Sequence, residues 1–357
     1  MGTRQRARPG LVAVLGSGET AANGQRAFER VFATLRRPVR VAILETPAGF
    51  QPNSDAVAGE VGEFLTHRLQ NHAPVVSIVP ARRRDVVGGT DDPATCAPLL
   101  AADVFYLGAG GPTYAARHLM GSWAWHALVA RHRLGAAVVL ASAATLSAGA
   151  WVVPVYEIYK VGDDLHWQPG LDLFGPYGLR LAFVPHWNNT DGGADLDTSR
   201  CYLGRARFGA LLSLLPANVT VVGLDEHTTL ILDPARAAAE VLGRGGVTIL
   251  RDDAETRVTT GEGFPLSALG PFHPADPTLD VPADILAAAA RGDAEAPGDA
   301  AIPEPTAEVL ALLGRRQAAR GRRDWAVADA IRDELATLGW EVRDTSGEPV
   351  LVPIQSR

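Results

Sequence analysis

The residues in this chain best suited to chemistry stand where short apolar runs stop. Gly135-Ala-Ala-Val-Val-Leu-Ala-Ser142 is a run of small and β-branched residues that ends at a serine, and an Ala-rich helical pattern follows at once. A strand-serine-helix junction is the shape of a nucleophile elbow, which holds a hydroxyl exposed at the top of an α/β sheet. Four other loops follow apolar runs in the same way. They are Gly16-Ser-Gly-Glu19, Gly108-Ala-Gly-Gly-Pro-Thr113, Val184-Pro-His186-Trp-Asn-Asn189 and Gly223-Leu-Asp-Glu226-His-Thr228. Together they offer a hydroxyl, an imidazole and carboxylates. A serine becomes a useful nucleophile only when a base takes its proton.

Taken singly, each residue has a plainer use. A serine after a strand is commonly a helix N-cap, a histidine beside Trp187 suits a packed core, and Glu226 suits a turn. Their shared position favours catalysis, because ligands of open α/β sheets bind beyond the carboxyl ends of the strands. Glu19 and Asn188 are candidates for contact with substrate.

The elements that must position these loops are legible. Leu11–Leu15, Val39–Leu44, Val75–Val79, Val104–Leu107, Ala136–Ala141, Leu181–Val184 and Val219–Leu224 read as buried strands. Gln25–Leu35, Ala56–Gln70 and Thr113–Arg131 read as helices between them. Such alternation predicts an α/β fold, a mostly parallel sheet with helices on both faces, and strands that end along one edge. Thr228–Arg257, with Gly243-Arg-Gly-Gly246 at its centre, reads as a hairpin at the sheet's edge. The domain spans residues 1–270. Residues 271–304 are rich in Pro, Ala, Asp and Gly and read as a linker. Residues 305–357 form a small helical module. There Leu310, Leu313, Ala318 and Ala319 share one helix face, Trp325, Ala328, Ile331 and Leu335 another, and a short strand, Glu341–Arg343, follows.

Composition removes several classes. A net charge of −7 provides no general field for a polyanion. Cys96 and Cys201, the only cysteines, form neither a disulfide framework nor a CxxC metal pair. That usage suits a reducing cytoplasm. Leu11–Leu15 is too short for a signal sequence, and no apolar run approaches the roughly 20 residues of a membrane helix. The nine histidines show no metal-ligand spacing, and no cofactor is required.

The order of the Gly-Gly loop, the strand–Ser-Ala elbow, Pro185-His186 and Asp225-Glu226-His-Thr228 resembles the cyanophycinase and aspartyl-dipeptidase family of serine peptidases. The resemblance covers about residues 11–269 and implies a class I glutamine-amidotransferase-like fold. It also implies a Ser142–His186–Glu226 triad and an oxyanion hole from backbone N–H groups of Gly110, Gly111 and Ala143. Homodimers would accord with it. These roles are chemically coherent: the imidazole takes the serine proton, a gain of roughly 10²–10⁴-fold, and the carboxylate fixes its tautomer. Asp163 and Asp164 are alternatives for the carboxylate. A glutamine amidotransferase would need a cysteine after a buried strand, and neither cysteine is so placed.

Ser142 has a rival. The family elbow reads Gly-x-Ser-Ala-Gly-Ala, and Ser147, in Thr145-Leu-Ser-Ala-Gly-Ala150, matches it better by letter. Ser142 carries Leu140 and Ala144 where the family has glycine. Strand length favours Ser142, since an elbow at Ser147 would need a strand about twice the usual 5–6 residues. With a helix starting at Ser142, Ser147 lies about 7.5 Å further along it.

A separate resemblance covers the C-terminus. Arg315-Arg-Gln-Ala-Ala-Arg320, Asp324-Trp-Ala-Val-Ala-Asp329, Ile331-Arg-Asp-Glu-Leu335 and Gly339-Trp-Glu-Val-Arg-Asp-Thr345 resemble the end of cysteinyl-tRNA synthetases. No synthetase catalytic signature accompanies them. Arg315, Arg316, Arg320, Arg322 and Arg323 could meet phosphates of tRNA, or form a solvated basic face, or dock a protein. The expected activity is cleavage of a peptide or related amide. A non-catalytic binding protein that engages tRNA or a protein through its C-terminal module is the alternative.

Overall fold

The computed structural model describes residues 8–276, 278–294, 305–322, 324–343 and 350–353. The chain divides into two compact units, 1–296 and 297–357.

The larger unit is built on an eight-stranded sheet. Five strands are parallel, in the order Val12–Leu15, Ala137–Ala141, Val104–Leu107, Arg40–Leu44 and Val75–Val79. Three antiparallel strands extend it beyond Val12–Leu15: Thr228–Asp233, Ala238–Gly243 and Gly263–Pro265. Side chains alternate across the sheet with period two. Val12, Val14, Val138 and Leu140 join the cluster under the helix Trp123–Arg133. Ala13, Leu15, Val139 and Ala141 join the opposite cluster, with Phe28 and Phe32 of helix Ala22–Phe32 and Leu65 of helix Ser54–Arg68. Both faces are therefore covered, which is why these strands read as unbroken apolar runs.

Leu181–Val184 and Thr220–Leu224 do not belong to this sheet. They pair in parallel with each other in a four-stranded sheet completed by Gly246–Arg251 and Ala254–Thr259. The expectation that all the loops lie on one sheet edge is corrected accordingly. The expected edge hairpin over Thr228–Arg257 is likewise two hairpins in two sheets, and Arg244 and Gly245 carry the chain between them. The span expected as one helix over Thr113–Arg131 is two, Pro112–Leu119 and Trp123–Arg133. Ser122 caps the second by accepting the Trp125 N–H at 3.2 Å.

The stretch expected as a linker also departs from expectation. Ala283–Ala294 is a helix of the larger unit, and its Ile285 and Ala289 are buried in the main core. Phe272 stacks on Tyr177 with ring centroids 6.2 Å apart. Residues 295–304 lie outside the described residues.

The smaller unit packs helices Ala307–Gly321 and Trp325–Thr337 with an antiparallel pair, Trp340–Arg343 and Val350–Pro353. Its core is Val309, Leu312, Ile331, Leu335, Trp340 and Val342. The first helix thus buries the face of Val309, Leu312 and Ala319, while Leu310, Ala318 and Trp325 are exposed. Among the described residues no helix is long and apolar enough to cross a membrane.

One buried group ties the fold to pH. His132 is enclosed beside the main sheet, with Nδ1 3.2 Å from the Ala136 carbonyl and Nε2 3.1 Å from the Tyr177 hydroxyl. A neutral ring satisfies both, donating from Nδ1 and accepting at Nε2. Burial lowers its pKa to about 4, Arg133 acting in the same direction and the Ala136 carbonyl against it. The unfolded ring takes a proton that the folded ring refuses between pH 6.5 and about 4. Stability from this group is therefore complete above that window and falls on acidification, by up to about 3 kcal/mol. Urea unfolding at pH 7 and pH 4.5 should show a steeper acid loss in the wild type than in His132→Gln; equal losses would remove His132 as the cause.

Candidate active site

Ser142 stands between the strand Ala137–Ala141 and the short helix Ala143–Ser147 with φ 52° and ψ −113°. A residue with a Cβ rarely adopts that conformation, and strain of this kind concentrates at functional sites. It turns the half-exposed serine away from the helix it precedes: no side-chain cap bond is made, so the N-cap use does not apply. Ser147 lies at the end of the helix, buried, with its Oγ donating to the Ala144 carbonyl at 3.1 Å.

The two departures from the family elbow fit without conflict. Leu140 is in register with Val14 and Leu107 and buried in the same cluster as Ala144. The Ala144 N–H donates to the Gly108 carbonyl at 3.2 Å. Thr145 donates to the carbonyls of Leu15 at 2.9 Å and Leu140 at 3.1 Å, fastening the turn after the elbow to the first strand.

His186 and Glu226 come from the second sheet. His186 follows Leu181–Val184 with φ 52°, and its Nδ1 is 3.1 Å from Glu226 Oε1. The same carboxylate oxygen accepts from Asn189 Nδ2 at 2.9 Å. Asn188, expected against substrate, instead accepts the Glu226 backbone N–H at 2.8 Å. Asp163 and Asp164 are exposed, and the imidazole meets neither. The neighbouring Asp225 is buried and committed to Arg257 and the Gly246 N–H. Asn189 is the residue that sequence reasoning missed: Pro-His-Trp-Asn-Asn does not say which amide turns inward.

Gly16 brings the two sheets' loops together. Leu15 is paired with Ala141, directly before the serine, while the Gly16 carbonyl accepts the His186 N–H at 3.2 Å. The Gly16 N–H donates to the Thr228 carbonyl at 2.8 Å, two residues past Glu226. Among the described residues no hydrogen bond joins Ser142 Oγ to His186; the side-chain bond of the imidazole is the one from Nδ1 to Glu226.

The expected oxyanion donors are not equivalent. The Gly111 N–H is donated to the Pro47 carbonyl at 2.9 Å and is not available, which corrects its expected role. Gly110, at φ 147°, lies so close to Pro47 that a Cβ would fall 1.9 Å from its carbonyl oxygen. The N–H groups of Gly110 and Ala143 have no acceptor among the described residues. Glu19 lines a cavity of about 40 Å³ with Tyr106, Gly108 and Ala109. Burial, with Glu19 adding to it, holds the Tyr106 phenol well above its ordinary range.

Comparison with known proteins gives relatives of two kinds. The chain shares its fold with a peptidase from an acI-B1 actinobacterium, with a TM-score of 0.56, 20% identity, and coverage of 73% of this chain and 98% of that one. At that identity the likeness is one of fold. Residues 303–348 match the cysteinyl-tRNA ligase anticodon binding domain. The cysteine–tRNA ligase of Rubrobacter xylanophilus is 48% identical over 48 residues, 13% of this chain and 10% of the ligase. That of Kocuria rhizophila is 32% identical over 165 residues, 41% of this chain and 34% of the ligase. The chain therefore spans about a third or less of the length of these relatives.

The backbone at Ser142 makes a sharp prediction. Ser142→Gly should be more stable than Ser142→Ala by about 1–2 kcal/mol, because only glycine is at ease at this φ and ψ. Denaturant unfolding of the two variants decides it; an Ala variant as stable as the Gly variant would mean the elbow is not strained.

Proposed function

We propose that the chain is a serine-type hydrolase acting on a peptide or related amide bond. The elbow conformation of Ser142 carries this reading, since a serine serving only as a helix cap has no use for it. The hydrogen-bonded His186–Glu226 pair supports it, as does a fold shared with a protein named as a peptidase.

In this mechanism Ser142 Oγ attacks the substrate carbonyl carbon while His186 Nε2 takes its proton. Glu226 holds the Nδ1–H and stabilises the imidazolium that forms. The oxyanion lies against the Gly110 and Ala143 N–H groups, each donor of this kind being worth about 2.7–4 kcal/mol. His186 then protonates the leaving amine. Water, activated by the same imidazole, releases the acyl group from Ser142.

A fluorophosphonate probe tests the assignment. Wild type and Ser147→Ala should be labelled, Ser142→Ala should not, and His186→Ala should label roughly 10²–10⁴-fold more slowly. Label retained in Ser142→Ala, or lost in Ser147→Ala alone, would overturn the choice of nucleophile.

The match of residues 303–348 to an anticodon-binding domain favours a second reading, in which the C-terminal module engages tRNA. Arg315 and Arg322 are exposed, Arg316 is buried, and Arg323 lies outside the described residues. Phosphate contacts release counterions, so retention of tRNA in filter binding should fall steeply between about 50 and 200 mM salt. Equal retention by a chain ending at residue 302 would reject the role.

A further inference from the structure

Arg200, Cys201 and Tyr202 hold φ angles of 59°, 56° and 67° in succession. Side-chain-bearing residues enter this left-handed region singly, not in runs. A run of three persists only where its surroundings over-determine it, and here they do. The Arg200 N–H donates to the Trp187 carbonyl at 3.0 Å, the Cys201 N–H to the His186 carbonyl at 3.2 Å, and the Tyr202 N–H to the Thr198 carbonyl at 2.9 Å. The Arg200 guanidinium lies 3.9 Å from the Trp187 ring centroid and donates to the Trp187 carbonyl at 2.9 Å. Cys201 is buried beneath the turn.

The turn delivers the Tyr202 ring to the imidazole of His186, with centroids 5.7 Å apart and planes inclined by 46°. Tyr159 backs the tyrosine at 6.0 Å, and the Tyr202 hydroxyl donates to Asp191 at 3.4 Å. Burial, with Asp191, Cys201 and Glu226 adding to it, pushes the phenol up to about 12, so it remains a donor.

His186 is fastened through its side chain by one hydrogen bond, from Nδ1 to Glu226. One bond does not by itself fix both the χ1 and χ2 torsions of the ring, so Nε2 keeps an arc of movement. A neighbouring ring held by a rigid turn removes that freedom. We propose that Tyr202 is a positioning residue for His186, and that the left-handed turn 200–202 exists to press its ring against the imidazole. This rests on the serine-hydrolase reading above.

Saturation kinetics of fluorophosphonate labelling on the full chain test it. Tyr202→Gly removes the ring while placing at φ 67° the residue most at ease there, which favours a folded variant. Its maximal labelling rate should fall about 10–100-fold, as expected for a reacting group displaced by about 1 Å. Its half-saturating probe concentration should stay unchanged. Tyr202→Phe keeps the ring and should restore the wild-type rate; Tyr202→Leu, which keeps bulk but no ring, should not. A wild-type rate in Tyr202→Gly, or a slow Tyr202→Phe, overturns the proposal while Ser142-dependent labelling of the wild type leaves the hydrolase reading standing. A wild-type chain that takes no label removes the hydrolase reading, and the positioning role with it.

Discussion

The site depends on one close approach. A Cβ on Gly16 would fall 2.0 Å from the Asp225 carbonyl oxygen and 3.0 Å from that of Leu224. No side chain fits there, so the end of the central strand of one sheet can lie directly against the end of a strand of the other. The consequences run outward from that contact. The Gly16 carbonyl and N–H hold the backbones of His186 and Thr228, and the residue before it is paired with the one that precedes Ser142. Three loops from two sheets are thereby tied to one backbone position.

Six of the fourteen non-glycine residues with positive φ among the described residues lie in the loops around this junction. Ser142, His186, Arg200, Cys201, Tyr202 and His227 all have positive φ without being glycine. Each such residue costs roughly 1–2 kcal/mol, a considerable share of the 5–15 kcal/mol by which typical domains are stable. The opposing term is the packing of the central strands of the main sheet, buried on both faces. His227 shows how the arrangement is kept: its N–H donates to Ser17 Oγ at 3.0 Å.

The strands were legible because burial on both faces leaves unbroken apolar runs. Val104–Leu107 and Leu181–Val184 have the bounds read from sequence; Val75–Val79 has them too, but it is the sheet's edge strand and only its Val79 is buried, which corrects its reading as a buried strand. Membership of a sheet was not legible, because Leu181–Val184 has the same pattern whichever partner it pairs with, and that partner is set by contacts distant in the chain. The helix Ala283–Ala294 was hidden for another reason. Alanine favours helix but adds little to an apolar stripe, so Ile285 and Ala289 had to carry the signal inside a composition that otherwise reads as linker. At the site, residue types and strand ends could be read from the chain. Which amide faces Glu226, and which glycine N–H Pro47 takes, depend on tertiary contacts that no local pattern encodes.

The same distinction explains how an elbow stands without the glycines its motif carries. Glycine at those places answers a need for space, and the need belongs to the neighbours rather than to the serine. Leu140 points to the face where Val14 and Leu107 are its neighbours in register, so its bulk fills the core instead of crowding the turn. Ala144 enters the first helical turn, where a methyl group is at home, and still reaches the Gly108 carbonyl. Thr145 then binds the carbonyls of Leu15 and Leu140, a bracing that neither Gly nor Ala could supply at that position. Ser147 keeps the motif's letters but lies at the far end of the helix that the elbow begins, its hydroxyl spent on Ala144. A short motif records one solution to the packing around a sharp turn; the backbone angles at the turn record the requirement itself.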